Sequence, residues 1–217
     1  MNTMIASPLD YFRQWIPRRP DIFLHLETEA QEEQIPIVGP VVGRLLYLLA
    51  RLKNARNILE LGTATGYSTL FLAEACHTQN GRVLSLEMNE ALAQRARNNI
   101  QNAGLDHVVD VICANVLETL PALEGPVDMI FMDIEKADYV RTLPECHRLL
   151  APGGLLVVDN TGFKDADPFN RVMHKDPRFQ SVNLWAFLPT HSPEHDGICI
   201  AIKNRSQWSK IETAVNQ

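Results

Sequence analysis

The feature that most constrains this chain is the stretch from Asn57 to Ala73, where one apolar segment meets two closely spaced glycines and then another apolar segment. The segment Ile58 to Leu61 predicts a parallel strand buried on both faces. Gly62 and Gly66 permit a sharp turn and a close approach of the backbone to a ligand. The second segment predicts a helix that opens near Ser68, with unpaired N–H groups directed into the same crevice. The stretch therefore predicts a strand, a glycine turn and a helix around a bound molecule.

The residues around this turn indicate what it binds. Glu87 ends the next predicted strand, about 20 residues beyond the turn, where a doubly wound fold binds a ribose. The spacing Gly62-x-x-x-Gly66 is neither the dinucleotide fingerprint nor a P-loop. Glu60 would repel a pyrophosphate but can accept hydrogen bonds from an ammonium group. A cationic nucleoside without phosphates, such as S-adenosylmethionine, fits these features; the alternative is a structural turn with an incidental Glu60.

Composition limits the fold and the partners. The chain has 217 residues, enough for one domain with a substantial core, and its net charge of −6 gives no overall attraction to nucleic acid or anionic membranes. Its four cysteines are widely spaced, which is typical of reduced thiols and predicts a cytoplasmic protein. The longest apolar run, residues 35–52, is broken by prolines, glycines and arginines, so we expect no membrane span, and no signal peptide is predicted.

Strand and helix patterns alternate after the first strand, which predicts an α/β fold with a doubly wound, mostly parallel sheet and right-handed crossovers. Residues 1–34 are predicted to form an N-terminal helical cap or dimerisation segment, and residues 35–217 the main domain. A turn is expected at residues 151–154, and the last two strands should pair antiparallel because residues 189–197 are too short for a helical crossover. The predicted strands span residues 58–61, 82–86, 108–113, 127–133, 154–159, 181–188 and 198–203, and the predicted helices after the first strand include 90–103 and 165–174.

A second group of polar residues follows two successive predicted strands. Asp133 ends one of them, and Asp159 and Asn160 end the next, so these side chains meet at one rim if the strands are neighbours. Two carboxylates and an amide oxygen suit a hard divalent cation such as Mg²⁺, which can hold a vicinal diol and lower the pKa of a bound hydroxyl. Lys136 is placed to accept the proton or to hold the anion. Taken singly, each residue also has a structural explanation, as a helix cap, a turn residue or a solvated lysine, but their joint placement favours a site.

At these residues the chain resembles the small cation-dependent O-methyltransferases, the group that contains catechol and caffeoyl-coenzyme A O-methyltransferases and many bacterial relatives. The likeness runs from about residue 27 to residue 203. Residues 60–68, which include Gly62, Thr63 and Ser68, match the family's cofactor motif, and Glu87 matches its ribose acid. Asp133 and Lys136 match the metal aspartate and the catalytic lysine, Asp159 and Asn160 match the remaining metal ligands, and Asp196-Gly197 is also typical.

The resemblance implies a Rossmann-like S-adenosylmethionine-dependent methyltransferase fold, with seven strands of which the last runs antiparallel, in a homodimer. It also implies cofactor contacts from Val38, from Val116 in the loop after the third strand, and from Asp133. The acidic residue with which catechol enzymes hold their substrate has no counterpart in this chain. Residues 189–195 occupy that region and contribute His191, Glu194 and His195.

Three functions compete at this stage. The first is an S-adenosylmethionine-dependent and Mg²⁺-dependent O-methyltransferase for a small, vicinal dihydroxy aromatic acceptor. The second is the same chemistry on a hydroxylated uridine in tRNA, for which a basic patch is available, formed by Arg18, Arg19, Lys53, Arg56 and Arg171. The third is a non-catalytic cofactor-binding regulator, against which the joint presence of Asp133, Lys136 and Asp159 argues.

Overall fold

A seven-stranded sheet runs through residues 4–205, the part of the chain that the computed structural model describes. The strand order is β3-β2-β1-β4-β5-β7-β6, and β7 is antiparallel to both of its neighbours. The doubly wound, mostly parallel sheet with an antiparallel last strand is thus confirmed, as is the antiparallel pairing of the last two strands. The strands are β1 Asn57–Leu61, β2 Arg82–Glu87, β3 Val109–Cys113, β4 Val127–Met132, β5 Leu150–Val158, β6 Phe179–Phe187 and β7 His195–Lys203.

Helices cover both faces of the sheet. One face packs against α2 to α5 and the other against α6 to α8. Phe23 and Leu26 of α2 are buried in the first of these cores, so this part of the predicted N-terminal segment packs against the sheet domain. Residues 1–3 and 206–217 of the two predicted segments lie outside the described residues. The α-helices of the described part are α1 Pro8–Arg13, α2 Asp21–Glu33, α3 Gly39–Lys53, α4 Tyr67–His77, α5 Glu90–Asn102, α6 Val116–Thr119, α7 Tyr139–Leu149 and α8 Asp167–Lys175.

The central strands are apolar because both of their faces are buried. In β4, Met129 and Phe131 point into the core under α2 to α5, whereas Ile130 and Met132 point into the opposite core. All four side chains are fully buried. This is the pattern of a parallel strand between two helix layers, and it explains why the sequence shows continuous apolar runs.

Two local predictions need correction. Residues 151–154 do not form a turn ahead of the strand, because β5 already begins at Leu150 and these residues bulge out of it. The pairing with β4 shifts between Val127–Leu150 and Met129–Leu155, and Gly153 at φ 76° accommodates the extra residues. The helix predicted over residues 165–174 is a 3₁₀ turn, Lys164–Ala166, followed by α8 with a proline in its first turn.

None of the helices within residues 4–205 has both the length and the apolar character that crossing a bilayer requires.

Candidate active site

The carboxyl ends of β1, β2, β4 and β5 open onto a cavity of 670 Å³. The strand order reverses between β1 and β4, so the cavity lies at the topological switch point, where doubly wound folds bind ligands. Of the predicted site residues, those that line the cavity are Val38, Gly62, Thr63, Ser68, Glu87, Val116, Asp133, Lys136, Asp159 and Asn160.

The turn after β1 requires glycine at two positions. Gly62 has a φ of 94°, and a Cβ atom there would lie 2.0 Å from the carbonyl oxygen of Asp133. Gly66 has a φ of 88° and is the residue before α4. The Gly66 N–H donates to the Thr63 carbonyl at 2.8 Å and closes the turn. The predicted strand, glycine turn and helix are therefore present, and they place Thr63 and Ser68 in the cavity wall.

The structure corrects the role predicted for Glu60. Its side chain is fully buried beneath the cavity, not in the cavity wall, and so does not face a ligand's ammonium group. Instead its carboxylate accepts hydrogen bonds from the hydroxyls of Ser68 (2.6 Å), Thr69 and Ser85 (2.6 Å). Burial raises the pKa of Glu60 to about 7, although the three hydroxyl donors oppose the shift. Glu60 thus links the start of α4 to β2 beneath the glycine turn of residues 62–66.

Glu87, at the end of β2, has both carboxylate oxygens fixed from the protein side. Oε2 accepts the N–H of Ala64 and Oε1 accepts the N–H of Asn89, each at 2.8 Å. The side chain is half-buried and lines the cavity. Each carboxylate oxygen has a second lone pair, so Glu87 can still accept hydrogen bonds from the hydroxyls of a ribose.

Asp133 and Lys136 lie together in the cavity wall. The Lys136 Nζ is 3.9 Å from Asp133 Oδ1 and 5.4 Å from the centre of the Phe163 ring. Burial and the neighbouring charge of Asp159 raise the pKa of Asp133, while Lys136 and His191 lower it. The Asp133 side chain retains 29% exposure, so solvent moderates the shift.

Asp159 and Asn160 are held by partners that leave one oxygen of each available. Oδ2 of the buried Asp159 lies 2.9 Å from His191 Nε2, whereas its buried Oδ1 has no hydrogen-bond partner among the described residues. The Asn160 amide donates to Asp196 at 2.9 Å from Nδ2, and its Oδ1 is the remaining oxygen. Asp196 also accepts the N–H groups of Gly162 and Gly197, at 3.0 and 2.6 Å, which explains the Asp-Gly pair noted in the sequence.

The oxygen atoms of Asp133, Asp159 and Asn160 form a donor set that suits a hard cation. An unsatisfied buried carboxylate oxygen is costly, and a cation would satisfy it. Within residues 4–205 no group of three or more His, Cys, Asp or Glu side chains forms a metal site by itself. The amide of Asn160 would therefore have to complete the set.

Sequence reasoning missed several residues of the site. The Tyr67 hydroxyl, in the cavity wall, donates to Glu27, which also pairs with Arg19, so the N-terminal segment is tied to the cofactor turn. Arg19 and Arg171 of the predicted basic patch are each paired with a carboxylate, Arg171 with Asp167. The sequence assigns His191 only to the segment 189–195, because no sequence signal links it to Asp159. The four cysteines form no disulfide.

Comparison with known proteins agrees with this geometry. A family model described as O-methyltransferase matches residues 23–185. This chain belongs to the O-methyltransferase family. It is 38% identical to a catechol O-methyltransferase of Niastella koreensis over 74% of this chain and 75% of the relative.

Solved structures of O-methyltransferases share the fold. The enzyme of Bacillus cereus in complex with SAH has a TM-score of 0.81 and 27% identity, and the alignment covers 90% of this chain and 96% of that one. TomG of Streptomyces achromogenes in complex with SAM has a TM-score of 0.82 and 26% identity, over 93% and 100% of the two chains. The resemblance inferred from the sequence motifs is confirmed.

The raised pKa of Glu60 predicts a pH-dependent stability. The native carboxyl keeps its proton up to about pH 7, whereas the unfolded carboxyl loses it near 4.5, so this group's contribution to the free energy of unfolding falls as the pH rises between these values. Relative to a Glu60→Gln variant, the wild type should lose up to about 3 kcal/mol between about pH 5 and pH 8. Urea unfolding of both proteins measures this, and a pH-independent difference would contradict burial as the cause.

Proposed function

We propose that this O-methyltransferase transfers the methyl group of S-adenosylmethionine to a hydroxyl of a small, vicinal dihydroxy aromatic acceptor, with a divalent cation, most simply Mg²⁺, at the acceptor. The observation that carries the proposal is that one cavity joins the glycine turn and Glu87 to Asp133, Lys136, Asp159 and Asn160. The SAH and SAM complexes of the two structural neighbours support the cofactor.

The predicted residues that would hold the cofactor all lie in the cavity wall: Val38, Gly62, Thr63, Ser68, Glu87, Val116 and Asp133. Glu87 would accept the ribose hydroxyls, since its carboxylate is fixed by two backbone N–H groups and faces the cavity. Ser68 and Asp133 border the space next to the turn and would receive the methionine end, whereas Val116 borders the space for the adenine. The sulfonium supplies the methyl group, and the chain's role is to orient it toward the acceptor oxygen.

Asp133, Asp159 and Asn160 would hold the cation, which fits because Oδ1 of Asp159 is buried and unsatisfied. When bound, the cation supplies charge that favours the ionised form of an acceptor hydroxyl. Lys136 stands beside Asp133, where its neutral amine would take up the hydroxyl proton at Nζ and its charged form would hold the resulting oxyanion. Phe163 offers an aromatic surface on the same side of the cavity.

Loss of the Glu87 charge should weaken cofactor binding. We expect Glu87→Gln to raise the Kd for S-adenosylhomocysteine about tenfold or more, because charge-assisted hydrogen bonds to the ribose become neutral ones. Isothermal titration calorimetry measures this. Glu90→Gln is the matched control, because Glu90 is exposed, pairs with Arg97 and lies outside the cavity. Equal affinities of the wild type and the Glu87 variant would place the ribose elsewhere.

Methyl transfer is the direct test of the proposed function. We would measure transfer from labelled S-adenosylmethionine to a panel of catechols and to bulk tRNA, each with Mg²⁺ and with EDTA. Catechol methylation that EDTA abolishes is expected, and Asp159→Ala should abolish it while leaving S-adenosylhomocysteine binding intact.

The exposed Asp165→Ala serves as the control for the Asp159 variant, and its activity should equal that of the wild type. Labelling confined to tRNA would replace the acceptor class while keeping the cofactor site. Cofactor binding without transfer to either acceptor would favour the non-catalytic regulator.

We also propose that the protein is a cytoplasmic homodimer. Edge strand β6 exposes apolar side chains, including Val182, Leu184 and Trp185, and the N-terminal segment exposes Phe12 of α1 and Trp15 just after it. Apolar side chains on an edge strand are usually covered by another chain. Light scattering should give about twice the chain mass of 24.4 kDa, and Leu184→Glu should shift the protein toward the monomer. A monomeric wild type would contradict the dimer. Free thiols at all four cysteines support the cytoplasmic location.

A further inference from the structure

His191 is a buried histidine in contact with a predicted cation ligand. Its side chain is 1% exposed, although the next two residues of its loop are exposed. Its Nε2 lies 2.9 Å from Asp159 Oδ2, and its Nδ1 lies 2.6 Å from the carbonyl oxygen of Pro193. The ring is thus placed between a backbone carbonyl oxygen and a carboxylate, which are both hydrogen-bond acceptors.

The loop that carries His191 is fixed from several sides. The Glu194 carboxylate accepts the Thr190 N–H at 3.0 Å and pairs with Arg13 of α1. The His191 N–H donates to the Leu188 carbonyl at 3.0 Å. Gly39 packs directly against the loop, since a Cβ atom there would lie 2.9 Å from the backbone nitrogen of His191. The imidazole thus approaches Asp159 from a backbone held in place by the N-terminal part of the chain.

This contact divides the two oxygens of Asp159. Oδ2 is committed to His191, and Oδ1 is the oxygen without a partner. The carboxylate also cannot shift freely, because its backbone is held: the Asp159 N–H donates to Met132 at 3.0 Å, and its carbonyl accepts the Tyr139 hydroxyl at 3.0 Å. Asp159 therefore presents Oδ1 to a cation without competition, whereas a cation contact at Oδ2 would have to share that oxygen with His191.

We propose that His191 is a positioning residue that fixes Asp159 for one-oxygen cation binding and so favours small octahedral cations over Ca²⁺; the inference rests on the proposed cation site. Mg²⁺ and similar ions require near-ideal octahedral geometry, whereas Ca²⁺ accepts two-oxygen carboxylate contacts and higher coordination numbers. Hydrogen bonds to a ligand carboxylate set its orientation and contribute to metal affinity. A two-oxygen contact of Ca²⁺ with Asp159 would have to compete with His191 at Oδ2.

The test is cation affinity, not activity. Binding of Mn²⁺ to the full chain with S-adenosylhomocysteine is followed by the electron paramagnetic resonance signal of free Mn²⁺, and Ca²⁺ is measured by competition. The variants are His191→Phe, which keeps a ring without donors, His191→Asn, which is too short to reach Asp159, and His191→Gln, whose amide can replace Nε2. His195→Phe is the matched control, because His195 is exposed at the end of the same loop and lies outside the cavity.

We expect the Phe and Asn variants to lose about tenfold or more in Mn²⁺ affinity and to discriminate less against Ca²⁺. The Gln variant should retain most of both properties, the His195 control should match the wild type, and all variants should bind S-adenosylhomocysteine normally. The Asn variant provides the same comparison if the Phe variant does not fold.

Unchanged or tighter Mn²⁺ binding in the Phe and Asn variants, with unchanged selectivity against Ca²⁺, would overturn the proposal. A Gln variant that loses as much Mn²⁺ affinity as the Phe and Asn variants would overturn it too. In each of these cases the cation site of the proposed function would survive. A wild type that binds S-adenosylhomocysteine but no Mn²⁺ would instead overturn the cation site itself, and the role of His191 with it.

Discussion

The alignment of three strand ends is the constraint on which the rest of the site depends. Hydrogen bonds continue one residue past the strands: Gly62 N–H donates to Leu86, Asp133 N–H to Leu61, and Asp159 N–H to Met132, at 2.8 to 3.0 Å. The first residue of each loop is therefore still held in the register of the sheet. Since these loops carry the glycine turn and the two aspartates, backbone pairing sets the spacing between the turn and the aspartates before any ligand binds.

Under the cofactor turn, a buried carboxylate holds the turn in place. The Glu60 carboxyl group accepts hydrogen bonds from three hydroxyls of α4 and β2. The Thr63 hydroxyl extends this network, since it lies 2.6 Å from the hydroxyl of Ser85. Burying a carboxyl group is costly unless it is hydrogen-bonded. Here the three hydrogen bonds offset part of the cost of burying the carboxyl group, and they hold Ser68 and the glycine turn in place. Function and stability thus share one network.

Around Asp159 and Asn160, side-chain contacts from the antiparallel end of the sheet add to the backbone pairing of the strand ends. Asp196, at the start of β7, fixes the amide of Asn160, and His191, in the loop before it, fixes Asp159. Arg13 of α1 ties that loop to the N-terminal segment through Glu194. Segments distant in sequence therefore fix how Asp159 and Asn160, the two residues after β5, face the cavity.

The order of the strands and helices, and most of the side chains that line the cavity, were predictable from the sequence. Apolar periodicity gave the alternating strands and helices, and the glycine spacing gave the turn, because both depend on local backbone geometry. The prediction that Asp133 and Asp159 meet needed only the adjacency of β4 and β5, which the sheet order provides. The tertiary structure alone decided that Glu60 faces three hydroxyls beneath the cavity and that His191 reaches Asp159. Both depend on side-chain contacts between residues far apart in the chain, and such contacts leave no periodic signal in the sequence.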